Sequence, residues 1–264
     1  MAHQDDRSTR MILFPANRLG AVIFDMDGVV SDTARVHERC WKVVFDAYLR
    51  HRSVLTGERL RLFNDEDYVR YVDGKPRYDG VASFLASRHI ALERGTPSDA
   101  PGEDSICALG NLKDHDFERA VATDGVSLFD PTIAFLRVLR SHGIRTALIS
   151  SSRHARVILE TARITSLFDA IVDGIDAETL ELPGKPDPAI FVAAAQRLQI
   201  VPARAAVVED ALAGVEAGHR GGFASVIGIG IGSHADELLA HGASIVVADL
   251  SELELQFDTS DELL

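Results

Sequence analysis

Short runs of apolar, β-branched residues recur along this chain at helix-length intervals, and that recurrence constrains the fold more than any other feature. The runs are "AVIF" (21–24), "TALIS" (146–150), "AIVDG" (170–174), "AAVVED" (205–210), "ASVIG" (224–228) and "SIVVADL" (244–250). They are continuous rather than alternating, so both faces of each strand need cover, as in a parallel sheet. Segments 130–143, 187–200 and 210–222 carry helical patterns between them, the first with Pro131 near its start and Gly143 at its end. Strands alternating with helices of this length specify an α/β fold, a doubly wound parallel sheet of Rossmann type.

One stretch breaks the alternation. From about residue 36 to residue 124 no comparable β run occurs. Val36, Cys40, Val43, Val44 and Ala47 share a helical face. Helical patterns continue through 71–88 and 111–124, separated by the loop-rich "ERGTPSDAPGEDS" (93–105). The expected organisation is a flexible leader (1–18), an α/β core (19–35 and 125–264) and an inserted helical cap (36–124). The acidic last residues are expected to fray.

Charge narrows the partners. The 264 residues carry a net charge of −13, which argues against nucleic acid or an anionic membrane surface, since both demand clustered Lys and Arg. A small anion remains admissible where a divalent metal and a few lysines reverse the field in a cleft. Cys40 and Cys107 form neither a zinc spacing nor a disulfide framework, which points to a reducing, cytoplasmic setting. No apolar run approaches the roughly 18 residues of a membrane span, and "MAHQDDRSTR" has no signal-peptide core. With an acidic surface and no obvious apolar patch, a monomer is the expectation.

In an open parallel sheet, ligands collect at the carboxyl ends of the strands. There the first run ends in Asp25 and Asp27, the second in Ser150, Ser151 and Ser152, and the fourth in Glu209 and Asp210; Lys185 sits in "LPGKPDP" before a helix. Carboxylates one residue apart after a buried strand repel each other unless a cation joins them. Mg²⁺ takes hard oxygens, with one or two carboxylates and a phosphate in its shell. Asp25 and Asp210 suit the carboxylate positions, the backbone carbonyl of Asp27 a third, and Glu209 the waters behind them. Asp25 can then attack phosphorus to form an aspartyl-phosphate, with Asp27 lending a proton to the leaving oxygen and recovering it from the acceptor. Lys185 and the Ser150 hydroxyl suit the phosphoryl oxygens. Gly28 allows the sharp turn beneath the site.

Taken singly, these features have plainer readings. Glu209–Asp210 alone is a helix N-terminus, Ser150–Ser152 a helix cap, Lys185 a solvated lysine, and His37 with Trp41 a packed helix face. "GIGIGS" (228–233) lacks the G-x-G-x-x-G spacing before a helix and excludes a dinucleotide. His219, His234 and His241 show no metal spacing.

In order along the chain, "DMDGVVSDT", "ISSS", "GKPDP" and "VEDALAG" resemble the four motifs of the haloacid-dehalogenase superfamily. "DTARVHERCWK" (32–42), "DGKPRYDG" (73–80) and "LGNLKD" (109–114) are similar to its β-phosphoglucomutase subfamily. The resemblance implies that Thr33, His37, Trp41, Gly74, Arg77 and Lys113 face a closed cleft. Arg77 would take the distal phosphate of a sugar bisphosphate, Lys113 would bridge cap and core, and His37 would set the pose of Asp27. Ser151 and Ser152 would join the phosphate contacts. The implied activity is Mg²⁺-dependent interconversion of β-D-glucose 1-phosphate and glucose 6-phosphate through glucose 1,6-bisphosphate; the alternative is a phosphatase for a small phosphorylated sugar. Asp73, Asp114 and His154 depart from the subfamily's usual Lys, Asn and Asn, and the cap is longer than usual, at about 50–67 and 93–105.

Overall fold

A computed structural model describes residues 11–257. In chain order its elements begin with β1 (Ile12–Pro15), β2 (Ala21–Asp25), α1 (Ala34–Thr56), α2 (Asp65–Asp67), α3 (Arg77–Ser87) and α4 (Ile106–Asp124). Then follow α5 (Asp130–Ser141), β3 (Arg145–Ile149), α6 (Ala155–Thr161), β4 (Ala170–Val172), α7 (Gly174–Thr179), α8 (Ala189–Arg197) and β5 (Ala205–Glu209). The last are α9 (Leu212–Arg220), β6 (Ser225–Ile229), α10 (Gly232–Ala240), β7 (Ile245–Val247) and β8 (Leu253–Gln256).

Six strands form one sheet in the order β4-β3-β2-β5-β6-β7, and every pairing in it is parallel. The chain winds outward from β2 through β3 and β4, then returns to β5 and winds the other way. The strand order therefore reverses between β2 and β5, which is where an open α/β sheet binds its ligand. Phe24 pairs with Val208, so the next residues, Asp25 and Glu209, finish their strands side by side. The apolar runs are continuous because both sheet faces are covered. Val22 and Phe24 join Leu136, Leu139 and Leu148 on one side. Ala21 and Ile23 join Ile190, Phe191 and Ala194 on the other.

Between β2 and α5 the described residues contain helices and loops. They have their own core, in which Phe45 packs against Trp41, Phe63 and Phe84 at ring separations of 5.0, 5.1 and 4.2 Å. The buried face of α1 is turned relative to the one expected. Cys40, Trp41, Val44, Phe45, Tyr48 and Leu49 are inside, whereas Val43 is 57% exposed and Ala47 is also exposed. Aromatic side chains bury far more area than Val or Ala, and they set the rotation of the helix.

The expected flexible leader is corrected over residues 11–18. β1 pairs in parallel with β8 as a two-stranded ribbon, and Phe14 and Ala16 are buried in the main core. Residues 1–10 of that leader and the acidic end from 258 onward lie outside the described residues. Among the described residues no helix is long and apolar enough to cross a membrane.

Candidate active site

β2 delivers Asp25 to the switch point, and the turn after it brings the chain back on itself. Gly28 adopts φ +83°, where a side chain is strained, and a Cβ there would collide with the Asp210 carboxylate. A Cβ on Gly214 would strike the Glu209 carboxylate in the same way. Two glycines thus let the backbone close around the carboxylates.

Asp25, Glu209 and Asp210 each offer an oxygen, and the three atoms lie within 4.8 Å of one another. Lys185 joins them from the loop before α8. Its Nζ donates to Asp25 Oδ1 at 2.7 Å and to Glu209 Oε1, with its side chain 1% exposed. Asp25 Oδ2 accepts from the Asp27 N–H at 3.0 Å, and Glu209 Oε2 accepts from the N–H groups of Asp210 and Ala211 at 3.1 Å. Burial pushes the Asp25 carboxyl well up, with Glu209 and Asp27 adding to it and Lys185 opposing. Burial, then Asp73 and Glu209, raise Asp210 likewise. Three hard oxygen donors facing one ammonium lack positive charge, and a divalent cation such as Mg²⁺ fits that donor set. Lys185 itself stays charged: burial disfavours its ammonium, but Asp25 and Glu209 more than compensate.

Asp27 faces the other way. Its Oδ1 accepts from Thr33 Oγ1 and lies 3.4 Å from His37 Nε2, and its Oδ2 accepts from Ser150 Oγ at 3.2 Å. Burial disfavours its charge, but His37 and Thr33 outweigh burial and hold the carboxyl well below the usual range. His37 stacks on Phe117 at 4.0 Å, and its Nδ1 meets Lys113 Nζ. Lys113 is 3% exposed, lies 4.7 Å from the Phe117 ring and 5.2 Å from that of Trp41, and is lowered to about 8, chiefly by burial. Burial first, then Lys113, lowers His37. Lys113, His37 and Asp27 therefore form one chain of contacts from α4 through α1 to the turn after β2.

A cavity of about 70 Å³ brings together Asp25, Asp27, His37, Trp41, Gly74, Arg77, Lys113, Ser151, Ser152, Lys185 and Asp210. Three expected residues do not line it. Thr33 stands behind Asp27, and Glu209 lies beneath the carboxylates. Ser150, expected on the phosphoryl oxygens, turns away: it donates to Asp27 and accepts from the Ser152 N–H at 3.0 Å, because it is fully buried at the end of β3. The Asp27 side chain, expected to carry the proton, is met by Thr33, Ser150 and His37, and its backbone, the part expected at the metal, lies beside Asp25. Ser151 Oγ donates to the Gly74 carbonyl at 2.9 Å and ties the helical insert to the sheet.

Two of the three departures, Asp73 and Asp114, line the cavity, and the third, His154, contacts Asp114. Asp73 is pushed up to about 7, by burial first and then by Glu209. Asp114 pairs with Arg77 Nη1 through Oδ2 and accepts from His154 Nε2 at 2.9 Å through Oδ1. Sequence reasoning missed Phe117 and Tyr68. Phe117 stands four residues after Lys113, one turn along the same helical face, and that spacing was a usable signal. Tyr68, which lines the cavity from the short π-helical segment after α2, had none.

The family model for "haloacid dehalogenase-like hydrolase" matches residues 19–222. A β-phosphoglucomutase of Mycobacterium bovis is 42% identical over 240 residues, covering 89% of this chain and 92% of that protein. A "phosphorylated carbohydrates phosphatase" of Thermotoga maritima is 28% identical over 213 residues, covering 79% and 84%. In structure, a β-phosphoglucomutase from Clostridium difficile superposes with a TM-score of 0.69 at 21% identity, over 89% of this chain and 93% of the other. That likeness bears on the fold.

Proposed function

This chain belongs to the haloacid dehalogenase-like hydrolase family and is an enzyme of it, and from that premise we propose that it is a β-phosphoglucomutase. Its substrate is β-D-glucose 1-phosphate, which it interconverts with glucose 6-phosphate. The observation that carries the phosphoryl-transfer chemistry is the opposed pair of aspartates, and the 42% identity to a β-phosphoglucomutase supports the mutase among such enzymes. Asp25 sits among carboxylates and Lys185, while two residues away Asp27 sits among hydroxyls and His37.

Asp25 is the nucleophile. One of its oxygens attacks phosphorus, the bond from phosphorus to the sugar oxygen breaks, and the phosphoryl group stays on Asp25. Mg²⁺, when bound by Asp25, Asp210 and the Asp27 carbonyl, supplies the positive charge that lets a carboxylate approach a phosphate. Lys185 adds its ammonium beside Asp25, where charge shifts as the phosphoryl group moves. Asp27, held ionised, takes the proton of the sugar hydroxyl that attacks phospho-Asp25, and returns it to the leaving oxygen in the opposite transfer. His37 and Thr33 fix its orientation. Arg77 and Lys113 hold the far side of the sugar phosphate. The contact of Ser151 with Gly74 and the buried chain from Lys113 through His37 to Asp27 keep the insert against the sheet, and so exclude the water that would hydrolyse the phospho-aspartate.

A phosphatase is the second reading. It uses the same Asp25 and Asp27, and Asp73 and Asp114 favour it by adding negative charge where a bisphosphate would lie. Phosphorus NMR of β-glucose 1-phosphate with enzyme, Mg²⁺ and a trace of glucose 1,6-bisphosphate separates the two. Conversion to glucose 6-phosphate without free phosphate is expected, and Asp25→Asn protein is expected to show less than about a hundredth of the rate. Release of inorganic phosphate in place of isomerisation would overturn the mutase reading. Undiminished turnover by Asp25→Asn would remove its role as nucleophile.

A further inference from the structure

Asp114 and His154 have no part in the chemistry above, yet Asp114 lines the cavity and meets His154 across the boundary between insert and sheet. Asp114 is on α4 in the helical insert, and His154 follows β3 in the sheet. One carboxylate oxygen of Asp114 faces Arg77 Nη1, and the other accepts from His154 Nε2 at 2.9 Å. Arg77, Asp114 and His154 are only 16%, 23% and 20% exposed, so water replaces none of these contacts cheaply. Burial opposes the charge on Asp114, but the hydrogen bond from His154 and the Arg77 cation hold its carboxyl down at about 2. A fixed anion thus occupies Arg77 in the same cavity as Asp25.

An arriving phosphate competes with Asp114 for the Nη1 edge of Arg77. Two anions on one guanidinium repel each other, and an unpartnered carboxylate at this depth is costly. The second oxygen of Asp114 already has somewhere to go. We propose that Asp114 is a placeholder anion for the distal phosphate and that His154 is the residue that receives it. In the empty cleft Asp114 holds Arg77 in position. When substrate binds, the phosphate takes Arg77 and Asp114 is retained by His154, which leaves the insert tied to the sheet. Both are binding and positioning residues, not reacting groups. The exchange rests on the proposed reading for its ligand, a sugar bisphosphate whose second phosphate reaches Arg77.

The test is a double-mutant cycle on binding, which does not need turnover. Glucose 1,6-bisphosphate is titrated by calorimetry into Asp25→Asn protein and into the same protein carrying Asp114→Asn, His154→Asn, or both. Asp114→Asn removes the competing anion and is expected to tighten binding about tenfold. His154→Asn strands Asp114 on Arg77 and is expected to weaken binding about threefold or more. The doubly substituted protein is expected to bind like Asp114→Asn alone, because the hydrogen bond by which His154 reaches this cavity runs to Asp114. A cleft merely damaged by substitution would not bind more tightly, so the first arm separates exchange from structural support. Unchanged or weaker binding by Asp114→Asn, independent effects of the two substitutions, or no binding by any variant would each overturn the exchange. The expected pattern alongside a wild type that turns over no sugar phosphate would leave the exchange standing and overturn the proposed function instead.

Discussion

Lys185→Met tests whether the carboxylate cluster depends on its ammonium. The substitution keeps most of the stem's volume and removes the charge that bridges Asp25 and Glu209. The three side chains are 1%, 7% and 0% exposed, so solvent does not screen what remains. Removing one partner of a buried ion pair costs about 3–5 kcal/mol, because the other charge stays behind without compensation. The lower end applies here. Burial already pushes Asp25 upward, so proton uptake by Asp25 relieves part of the repulsion. For a chain of this length about 3 kcal/mol corresponds to a fall in Tm of about 6–12 °C. Scanning calorimetry at neutral pH in EDTA measures it, and added Mg²⁺ is expected to restore more of the loss in the variant than it adds to the wild type. Phosphoryl transfer is expected to fall about 10²–10³-fold. A fall in Tm below about 2 °C in EDTA would refute the view that Lys185 balances this cluster.

Gly28→Ala forces a side chain against the Asp210 carboxylate from a backbone at φ +83°. Mg²⁺ affinity, measured by calorimetry, is expected to drop at least about tenfold, and an unchanged affinity would remove Asp210 from the ligand set. Asp176, in the first turn of α7, accepts from Arg197 at 2.8 and 3.0 Å and from Arg156 at 2.6 Å. The hydrogen bonds from Arg197, ahead of the burial that opposes them, hold its carboxyl well below the usual value. A depressed carboxyl contributes stability that is present above about pH 4 and lost as pH falls through the folded value. Asp176→Asn is therefore expected to cost about 1–2 kcal/mol at neutral pH, after allowing for the half-exposed arginines. The gap from wild type should begin to narrow below about pH 4 and keep narrowing as pH falls toward the folded value; a constant gap in urea denaturation from pH 6 to 3 would contradict it.

Strand-end chemistry could be read before any coordinates because it is local. Asp25, Ser151, Glu209 and Asp210 follow strands whose apolar runs announce themselves, and parallel strands carry their carboxyl ends to one edge by geometry alone. Lys185 was found from a loop of its own. The insert was legible as helical, but the rotation of α1 was not, because Phe63 and Phe84 lie far along the chain from Phe45, and their packing against it outweighs the local apolar period. β1 was missed for a similar reason: four residues make no strand signal until β8, more than two hundred residues on, supplies the partner.

By itself the sequence determined the chemistry available: a parallel sheet, carboxylates at its carboxyl edge, a lysine to balance them and a helical insert above. Only the tertiary structure decided what each charge faces. It set Asp25 among carboxylates and Asp27 among hydroxyls, two residues apart, because Asp25 ends its strand and Asp27 stands beyond it, where other side chains meet it. It turned Ser150 inward and aligned Lys113, His37 and Asp27 across three segments. It also placed Asp114 between Arg77 and His154, a contact spanning forty residues that no local spacing encodes. Residue types set which charges a chain can use, but the strength of a charge depends on its distance to a partner and its depth from water, and both belong to the fold.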